Sequence, residues 1–374
     1  MLASSKAPRR FLLFTRSLLG HFPGGIALIV IIVSVGFTAF TGASGITIIA
    51  LGGLLLPAVV SEAKKQKKEN PLSHGIGLVT SAGAPGLLLP PSLPVIVYAI
   101  TAQLNIDKLY LSTAFPAILL ISSLVVFSSI RNNLLSGNRK KTNIKNTHFS
   151  SKRLLFSLTQ VKWELPLPLL VVGSIYLGLI TVTEAATLTA FYVFCIEVFI
   201  YREINIRKDL PRIITETGIL VGSILIVVGT AMAFTNVLVD NYIPQQLLKF
   251  VSENINHPFI FLLCLNIILI IAGMFLDIFS AIVILAPLLS PLAISFNIHP
   301  LHLAVIFLVN LEVGYLTPPI GINLFVARFR FKQSLITIFQ ATLPFVIVMT
   351  AVLLLITYIP AISLLLPNLI TGNK

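Results

Sequence analysis

Two short segments of the chain carry residue types that could bind a small cation. Residues 86–92 read GLLLPPS and residues 314–321 read GYLTPPIG, so both follow the pattern Gly-x-Leu-x-Pro-Pro. A pair of prolines removes two backbone donors and clashes with the preceding turn, which must interrupt a helix. At membrane depth, the backbone groups freed by such a break are tolerated only next to protein or a water-filled site. Their oxygens, together with neighbouring hydroxyls, are the ligands that a coupling ion uses in broken-helix transporters.

The elements that must position these segments are membrane helices. Of the 374 residues, 56% are hydrophobic and 10% are charged, and the mean hydropathy is +0.98. A soluble domain carries roughly 25% charged residues, whereas many apolar runs here reach the roughly 20 residues that span a bilayer as a helix. The net charge of +13 lies in short loops between apolar runs, which indicates the positive-inside rule and not nucleic-acid binding. The sequence therefore predicts an all-α integral membrane protein.

Loop charges predict how the apolar segments are oriented. When the segments alternate across the membrane, 23 of the 26 lysines and arginines fall on the inner side, and the other three are Lys108, Lys249 and Lys374. Because basic loops face the cytoplasm, the N-terminus is predicted to be cytoplasmic and the C-terminus periplasmic. Both flanks of residues 22–60 are basic, so two full crossings or a re-entrant hairpin would fit there, and the small residues at 41–45 favour the hairpin.

The predicted organisation is two repeats joined by a linker. The first repeat, residues 1–130, comprises a hairpin at 22–60, a broken helix at 72–101 and a helix at 109–130. Residues 131–162 are a basic cytoplasmic linker. The second repeat, residues 163–374, comprises helices within 163–237, a hairpin at 259–294, a broken helix at 303–326 and a helix at 335–359.

Matching spacings support an inverted repeat. Gly42 precedes Pro57 by 15 residues, and Gly273 precedes Pro287 by 14. The charge pattern places the first hairpin on the inner side and the second on the outer side. The predicted fold is therefore an inverted-repeat transporter with two re-entrant hairpins and two broken transmembrane helices, a design that places substrate and coupling ions at the repeat interface near the midplane.

Five stretches of the sequence resemble one known family. They are FPGGIA at 22–27, the tip Gly42-Ala43-Ser44, APGLLLPPSLPVIVY at 84–98, GMFLDIFSAIVILAPLLSPLA at 273–293 and NLEVGYLTPPIGINLFVAR at 310–328. From about residue 18 to about residue 366, the chain resembles the large membrane subunit of TRAP transporters, the DctM-like branch of the ion transporter superfamily. By this resemblance, the family's N-terminal scaffold helices are expected to be missing from the sequence, and Ala43 stands where the family usually has a serine.

The resemblance implies a function and its partners. It implies a multi-pass protein of the bacterial inner membrane that imports a small organic acid, such as a C4-dicarboxylate, by sodium-coupled secondary transport. An extracytoplasmic substrate-binding protein would deliver the acid, and a small TRAP membrane subunit would lie alongside. Sodium ions would serve as coupling ions, with no other cofactor. The hairpin-bearing module would move against a scaffold in an elevator-type alternating-access cycle.

Candidate ligands lie at the hairpin tips and the helix breaks. The predicted sodium ligands at the first site are carbonyl or hydroxyl oxygens of Gly42, Ser44, Thr47, Gly86, Pro90 and Ser92. Those at the second site are Gly273, Asp277, Gly314, Thr317 and Pro318. The predicted substrate-binding residues are Ser44, Ser92, Asp277, Gly321 and Asn323.

Each of these assignments has a structural alternative. The glycines could serve close helix packing, and Asp277 could be an interfacial acid at a hairpin tip instead of a membrane-embedded ligand. Ser92 and Asn323 could cap the resumed helices. Glu312 could be a coupling acid or a member of a structural pair.

Other chemistries find no support in the sequence. The six histidines show no metal-ligand spacing, both cysteines lie in apolar runs, and no Gly-x-x-x-x-Gly-Lys-Ser/Thr loop is present. Neither catalytic residues nor a metal other than sodium are predicted, so the protein is not expected to be an enzyme. The alternatives to active transport are a truncated or inactive permease and, less favoured, a membrane-embedded enzyme using Asp277 and Glu312.

Overall fold

A computed structural model describes residues 1, 5–19, 25–65, 70–135, 151–167, 173–174, 179–255 and 257–371. All regular structure in these residues is helical. In the first half the helices are α1 (Ala7–Leu19), α2 (Gly25–Thr41), α3 (Ser44–Lys65), α4 (Pro71–Ser81), a 3₁₀ helix (Ala84–Leu88), α5 (Leu93–Thr101), α6 (Ile106–Leu135) and α7 (Ser151–Val161).

The second half is longer. Its helices are α8 (Val182–Cys195, continued by a π-helical turn, Ile196–Ile200), α9 (Asp209–Asp240), α10 (Ile243–Asn254), α11 (Pro258–Phe275), α12 (Ile278–Ser295), α13 (Pro300–Tyr315), α14 (Ile322–Phe331), α15 (Leu335–Tyr358) and α16 (Pro360–Thr371).

The described helices confirm an integral membrane protein. Six segments are long and apolar enough to cross a bilayer: Ser44–Lys64, Ile106–Arg131, Thr183–Ile200, Pro258–Phe275, Ile278–Ser295 and Leu335–Tyr358. A seventh is obtained when Pro71–Leu88 and Leu93–Thr101, which meet at 44°, count as one broken span.

Two helix pairs are joined by very short tips. Between α2 and α3, Gly42 adopts a left-handed conformation (φ +68°) and its N–H donates to Thr38 O at 2.8 Å, a common way to end a helix. Between α11 and α12, Leu276 N–H donates to Ala272 O at 2.8 Å, and Asp277 then caps the next helix. The tips are therefore residues 42–43 and 276–277.

The two proline pairs interrupt their helices as expected. In the first break the α-helix stops at Ser81 and resumes at Leu93, with the 3₁₀ helix between. In the second it stops at Tyr315 and resumes at Ile322. Both Pro90–Pro91 and Pro318–Pro319 are cis.

Helix packing crosses between the halves. The second arm of the first pair, α3, packs on α14, which resumes after the second break. The second arm of the second pair, α12, packs on α5, which resumes after the first break. An arm of each helix pair thus packs on the helix that resumes after the break in the other half.

Some predicted segments differ from the observed helices or lie outside the described residues. The predicted linker 131–162 contains the end of α6 and all of α7, while residues 136–150 lie outside the description. The predicted helices within 163–237 are described apart from residues 168–172 and 175–178. The helix predicted at 335–359 matches α15, whereas the separate final helix α16 after it was not predicted.

A buried ionic cluster joins α1 to the second half. Arg10 Nε lies 2.9 Å from Glu164 Oε1, its Nη1 lies 2.6 Å from Glu203 Oε1, and its Nη2 lies 3.3 Å from Glu197 Oε1. Its guanidinium carbon also lies 3.9 Å from the Tyr201 ring centroid. Periodicity could not reveal this cluster, because Arg10 lies more than 150 residues before each of the three acids.

Replacing Arg10 with methionine should destabilise the protein by about 3–5 kcal/mol, because Glu164 and Glu197 would then be buried without their cation. Thermal unfolding of the detergent-solubilised protein measures this loss. The matched control is Arg9→Met at the neighbouring, exposed position. Equal melting temperatures for the two variants would refute a stabilising role of the cluster.

Candidate functional site

The first hairpin tip and the second helix break meet in a small polar cluster. Ser44 Oγ accepts a hydrogen bond from Asn323 Nδ2 at 2.9 Å and lies 3.2 Å from Asn323 Oδ1. The same hydroxyl lies 3.5 Å from Glu312 Oε2. All three residues are at most 2% exposed. Ser44 and Asn323, 279 positions apart in the sequence, therefore share one buried site with Glu312.

The backbone at the second break places Asn323 in this cluster. Gly321 is left-handed (φ +51°), and a Cβ there would lie 2.7 Å from Thr317 O. Its N–H donates to Met274 O at 3.1 Å, which ties the break to the last turn of α11. Only glycine meets both conditions without strain. Asn323 then falls in the first turn of α14.

The first tip also contacts the first break. A Cβ on Gly42 would lie 3.1 Å from Leu93 Cβ and 3.8 Å from Pro94 Cδ, at the start of α5. Ser92 is buried, and its carbonyl accepts a hydrogen bond from Tyr110 Oη at 2.8 Å. Ser92 Oγ is buried and makes no hydrogen bond within the described part of the chain. The starts of α3 and α5 thus adjoin each other.

Neither Ser92 nor Asn323 caps its helix through the side chain. Ser92 occupies the position before α5 without a side-chain cap bond, and the capping position of α14 is Gly321. The capping alternative therefore does not account for these side chains. Their predicted role in substrate binding stays a prediction.

Each predicted threonine ligand has a hydrogen-bond partner, and its hydroxyl oxygen keeps a free lone pair. Thr47 Oγ1 lies 2.7 Å from Thr38 Oγ1, with both side chains buried beside the first tip. Thr317 Oγ1 donates to Val313 O at 2.8 Å. A hydroxyl that donates one hydrogen bond can still offer oxygen lone pairs to a cation. These contacts are compatible with the predicted ligand roles.

Asp277 caps α12. Its Oδ2 accepts from Phe279 N–H at 3.0 Å and from Ser280 N–H at 3.2 Å, and its Oδ1 accepts from Ser280 Oγ. The residue is exposed. These contacts are those of the interfacial acid at a hairpin tip. The predicted ligand role of Asp277 stays a prediction.

Three of the predicted glycines lie where backbones approach closely. A Cβ on Gly86 would lie 2.4 Å from Val35 O, so the 3₁₀ helix packs directly on α2. Gly273 and Gly314 face each other between α11 and α13: a Cβ on Gly314 would lie 2.7 Å from Gly273 Cα. The alternative of close packing accounts for all three. Pairing Gly273 with the tip glycine Gly42 was wrong, because Gly273 lies inside α11.

The chain offers a direct test of this packing role. Gly314→Ala is expected to lower stability by about 1–3 kcal/mol, because the new methyl group would meet the backbone of α11. Gly36→Ala is the matched control: it is also helical, and a Cβ there would meet nothing within 4 Å. The control should be neutral or slightly stabilising in thermal unfolding. Equal effects of the two substitutions would contradict close packing at Gly314.

Three helices begin at this site. The N-terminal ends of α3 and α14 meet through Ser44 and Asn323, and the start of α5 adjoins Gly42. Helix N-termini carry unpaired N–H groups and a partial positive charge, which favours anions. The arrangement can hold an anionic group near hydroxyl, amide and carboxylate oxygens that suit a cation. Among the described residues, no group of three or more His, Cys, Asp or Glu forms a metal site.

Comparison with known proteins agrees with this architecture. The family model described as "Tripartite ATP-independent periplasmic transporter, DctM component" matches residues 1–362. The C4-dicarboxylate TRAP transporter large permease protein DctM of Pseudomonas aeruginosa is 34% identical over 96% of this chain and 81% of its own length. The protein of the same name from Rhodobacter capsulatus is 32% identical over 97% of this chain and 82% of its own length.

A relative named for another substrate is also similar. The isethionate TRAP transporter permease protein DctMQ of Oleidesulfovibrio alaskensis is 32% identical over 95% of this chain and 54% of its own length. The similarity therefore spans relatives that are named for different substrates.

Proposed function

Since the chain belongs to the DctM component family of tripartite ATP-independent periplasmic transporters, we propose that it forms the membrane pathway of a sodium-coupled importer of small organic acids. The family assignment makes it a transporter component and excludes a membrane-embedded enzyme. The observation that carries the proposal is the contact of Ser44 with Asn323, which joins the first hairpin tip to the second break.

Sodium coupling is supported by the chemistry of this contact. Hard cations prefer oxygen ligands. The hydroxyl of Ser44 and the amide oxygen of Asn323 lie 3.2 Å apart in a buried position, and Thr47 supplies another hydroxyl in α3. The residues therefore fit a sodium ion, which would be a co-transported substrate here and not a resident cofactor.

An organic acid is supported by the helix ends and by the relatives' names. The starts of α3, α5 and α14 would attract a carboxylate or another anionic group. Relatives are named for C4-dicarboxylate, for isethionate and, in Haemophilus influenzae, for sialic acid. We therefore propose an acid of this kind, a C4-dicarboxylate first among them.

The partners follow from the tripartite family description. We propose an extracytoplasmic binding protein that delivers the acid and a small membrane subunit beside this chain, in a bacterial inner membrane. The N-terminus would be cytoplasmic and the C-terminus periplasmic. A C-terminal tag that external protease cannot reach in spheroplasts would contradict this orientation.

We further propose that transport follows an elevator movement. The crosswise pairs α3–α14 and α5–α12 form a continuous packed unit around the site, and α9 packs on α12 at its side. Inverted repeats of this kind alternate access largely by moving one bundle as a rigid body. Uptake that persists after α9 is covalently cross-linked to α12 would contradict this mechanism.

Uptake into proteoliposomes tests the proposal as a whole. The chain is reconstituted with its small membrane subunit and its binding protein, and uptake of succinate, isethionate and sialic acid is measured without ATP. An inward sodium gradient should accelerate uptake of at least one of them over an equal potassium gradient. Equal rates under both gradients would rule out sodium coupling, and absence of uptake for all three acids would favour an inactive permease.

A further inference from the structure

Glu312 is a deeply buried acid at the edge of the proposed site. It lies in α13, five residues before Thr317 and the second proline pair. The residue is 2% exposed, and its Oε1 makes no hydrogen bond within the described residues. Its other oxygen lies 3.5 Å from Ser44 Oγ. One carboxylate oxygen thus remains without a donor in an interior where unpaired polar atoms are costly.

The surroundings supply no countercharge. No ion pair among the described residues includes Glu312. Among the described residues, Tyr315 interacts electrostatically with Glu312 and with Asp277, and neither Tyr315 nor Asp277 is basic. A buried carboxylate without a basic partner must be neutralised by an ion or a proton, and intramembrane acids of this kind mark ion pathways.

We infer that Glu312 is a direct ligand of the sodium ion, with Ser44 Oγ and Asn323 Oδ1. Three kinds of oxygen, carboxylate, hydroxyl and amide, come together here from α13, α3 and α14. This inference rests on the proposed function. It adds a negatively charged ligand to the predicted carbonyl and hydroxyl ligands, which are all neutral. Ser44 and Asn323 come from opposite repeats, so ion binding would fasten the tip to the break.

The charge of Glu312 also gives a reason for coupling. Without a cation, a carboxylate beside the starts of α3 and α14 repels an anionic substrate and cancels part of the attraction of the helix ends. With sodium bound, the repulsion is removed. Sodium binding should therefore tighten binding of the organic acid, and by linkage the acid should tighten binding of sodium by the same factor.

Sodium-dependent thermal stabilisation of the detergent-solubilised protein tests this ligand without measuring transport. Melting temperatures are recorded against sodium chloride, with potassium chloride keeping the ionic strength constant. Glu312→Gln preserves shape and removes the charge, so the sodium concentration for half-maximal stabilisation should rise at least about tenfold. Glu216→Gln, at an exposed ion pair with Arg212, is the matched control and should behave as the wild type.

The outcomes separate this inference from the proposed function. If wild-type uptake depends on sodium while Glu312→Gln has the wild-type sodium affinity, Glu312 is not a ligand and sodium coupling stands. If wild-type uptake is independent of sodium, both fail. Should the glutamine variant not fold, Glu312→Asp decides: its retracted carboxylate should weaken sodium stabilisation, and an unchanged affinity would overturn direct ligation.

Discussion

Replacing Asn323 with leucine is expected to lower sodium-driven uptake by about 100-fold. The substitution conserves volume but removes the amide that contacts Ser44 Oγ through both its nitrogen and its oxygen. Ser44 Oγ would then face an apolar group, and leaving a buried polar group unsatisfied costs about 1–3 kcal/mol. Since each 1.4 kcal/mol corresponds to about a tenfold change, about 3 kcal/mol gives the predicted loss.

The comparison for this variant is Asn241→Leu, an asparagine that lies exposed after α9. Both variants are reconstituted with the small membrane subunit and the binding protein, and their initial uptake rates are measured under the same sodium gradient. The control should transport at the wild-type rate. If the uptake rate of Asn323→Leu lies within about twofold of the control, Asn323 is not part of the transport site.

Replacing Gly321 with valine is expected to lower uptake more than tenfold. A left-handed conformation costs a residue with a Cβ roughly 1–2 kcal/mol, and more for a β-branched side chain. The added Cβ would also lie 2.7 Å from Thr317 O and 3.0 Å from Tyr315 O. The backbone must move to relieve these contacts, and it would carry the N–H away from Met274 O and shift the start of α14.

The neighbouring Ile320 provides the control for this second variant. It is 39% exposed, so Ile320→Val changes the same segment without placing a side chain on the left-handed backbone of Gly321. Because about 1.4 kcal/mol corresponds to a tenfold change, uptake by Gly321→Val should fall below one-tenth of the wild-type rate. Uptake by Ile320→Val should equal the wild-type rate. Normal uptake by Gly321→Val would mean that the geometry of the second break is not required.

Local features of the fold could be predicted from the sequence because their causes are local. Paired prolines remove backbone donors wherever they occur, so the breaks at Pro90 and Pro318 were predictable. Apolar length and charge likewise predicted membrane helices. The position of the second tip was not predictable in the same way, because Gly273 can end a helix or pack against one, and only the contact with Gly314 decides.

Long-range contacts could not be predicted from such patterns. The residue types of Ser44 and Asn323 made them candidate ligands, but nothing in the sequence pairs them with each other across 279 positions. Glu312 was recognisable as an acid in an apolar run, with two interpretations open. The contact with Ser44 and the unpaired Oε1 favour the ion-coupled interpretation. The sequence did not predict the Arg10 cluster, because Arg10 lies far from its acidic partners along the chain.

The proposed site requires the two halves of the chain to meet at Ser44 and Asn323. The chain has only two cysteines, Cys195 and Cys264, so replacing both with serine gives a background free of thiols. Cysteines are then placed at positions 44 and 323, and their bridging by mercuric ion is followed over time. The pair at 44 and 241 serves as the control.

The most direct test is the rate of this mercury bridging. We predict rapid bridging between positions 44 and 323 and none for the control pair. Absence of bridging between positions 44 and 323 would contradict the contact between the first tip and the second break.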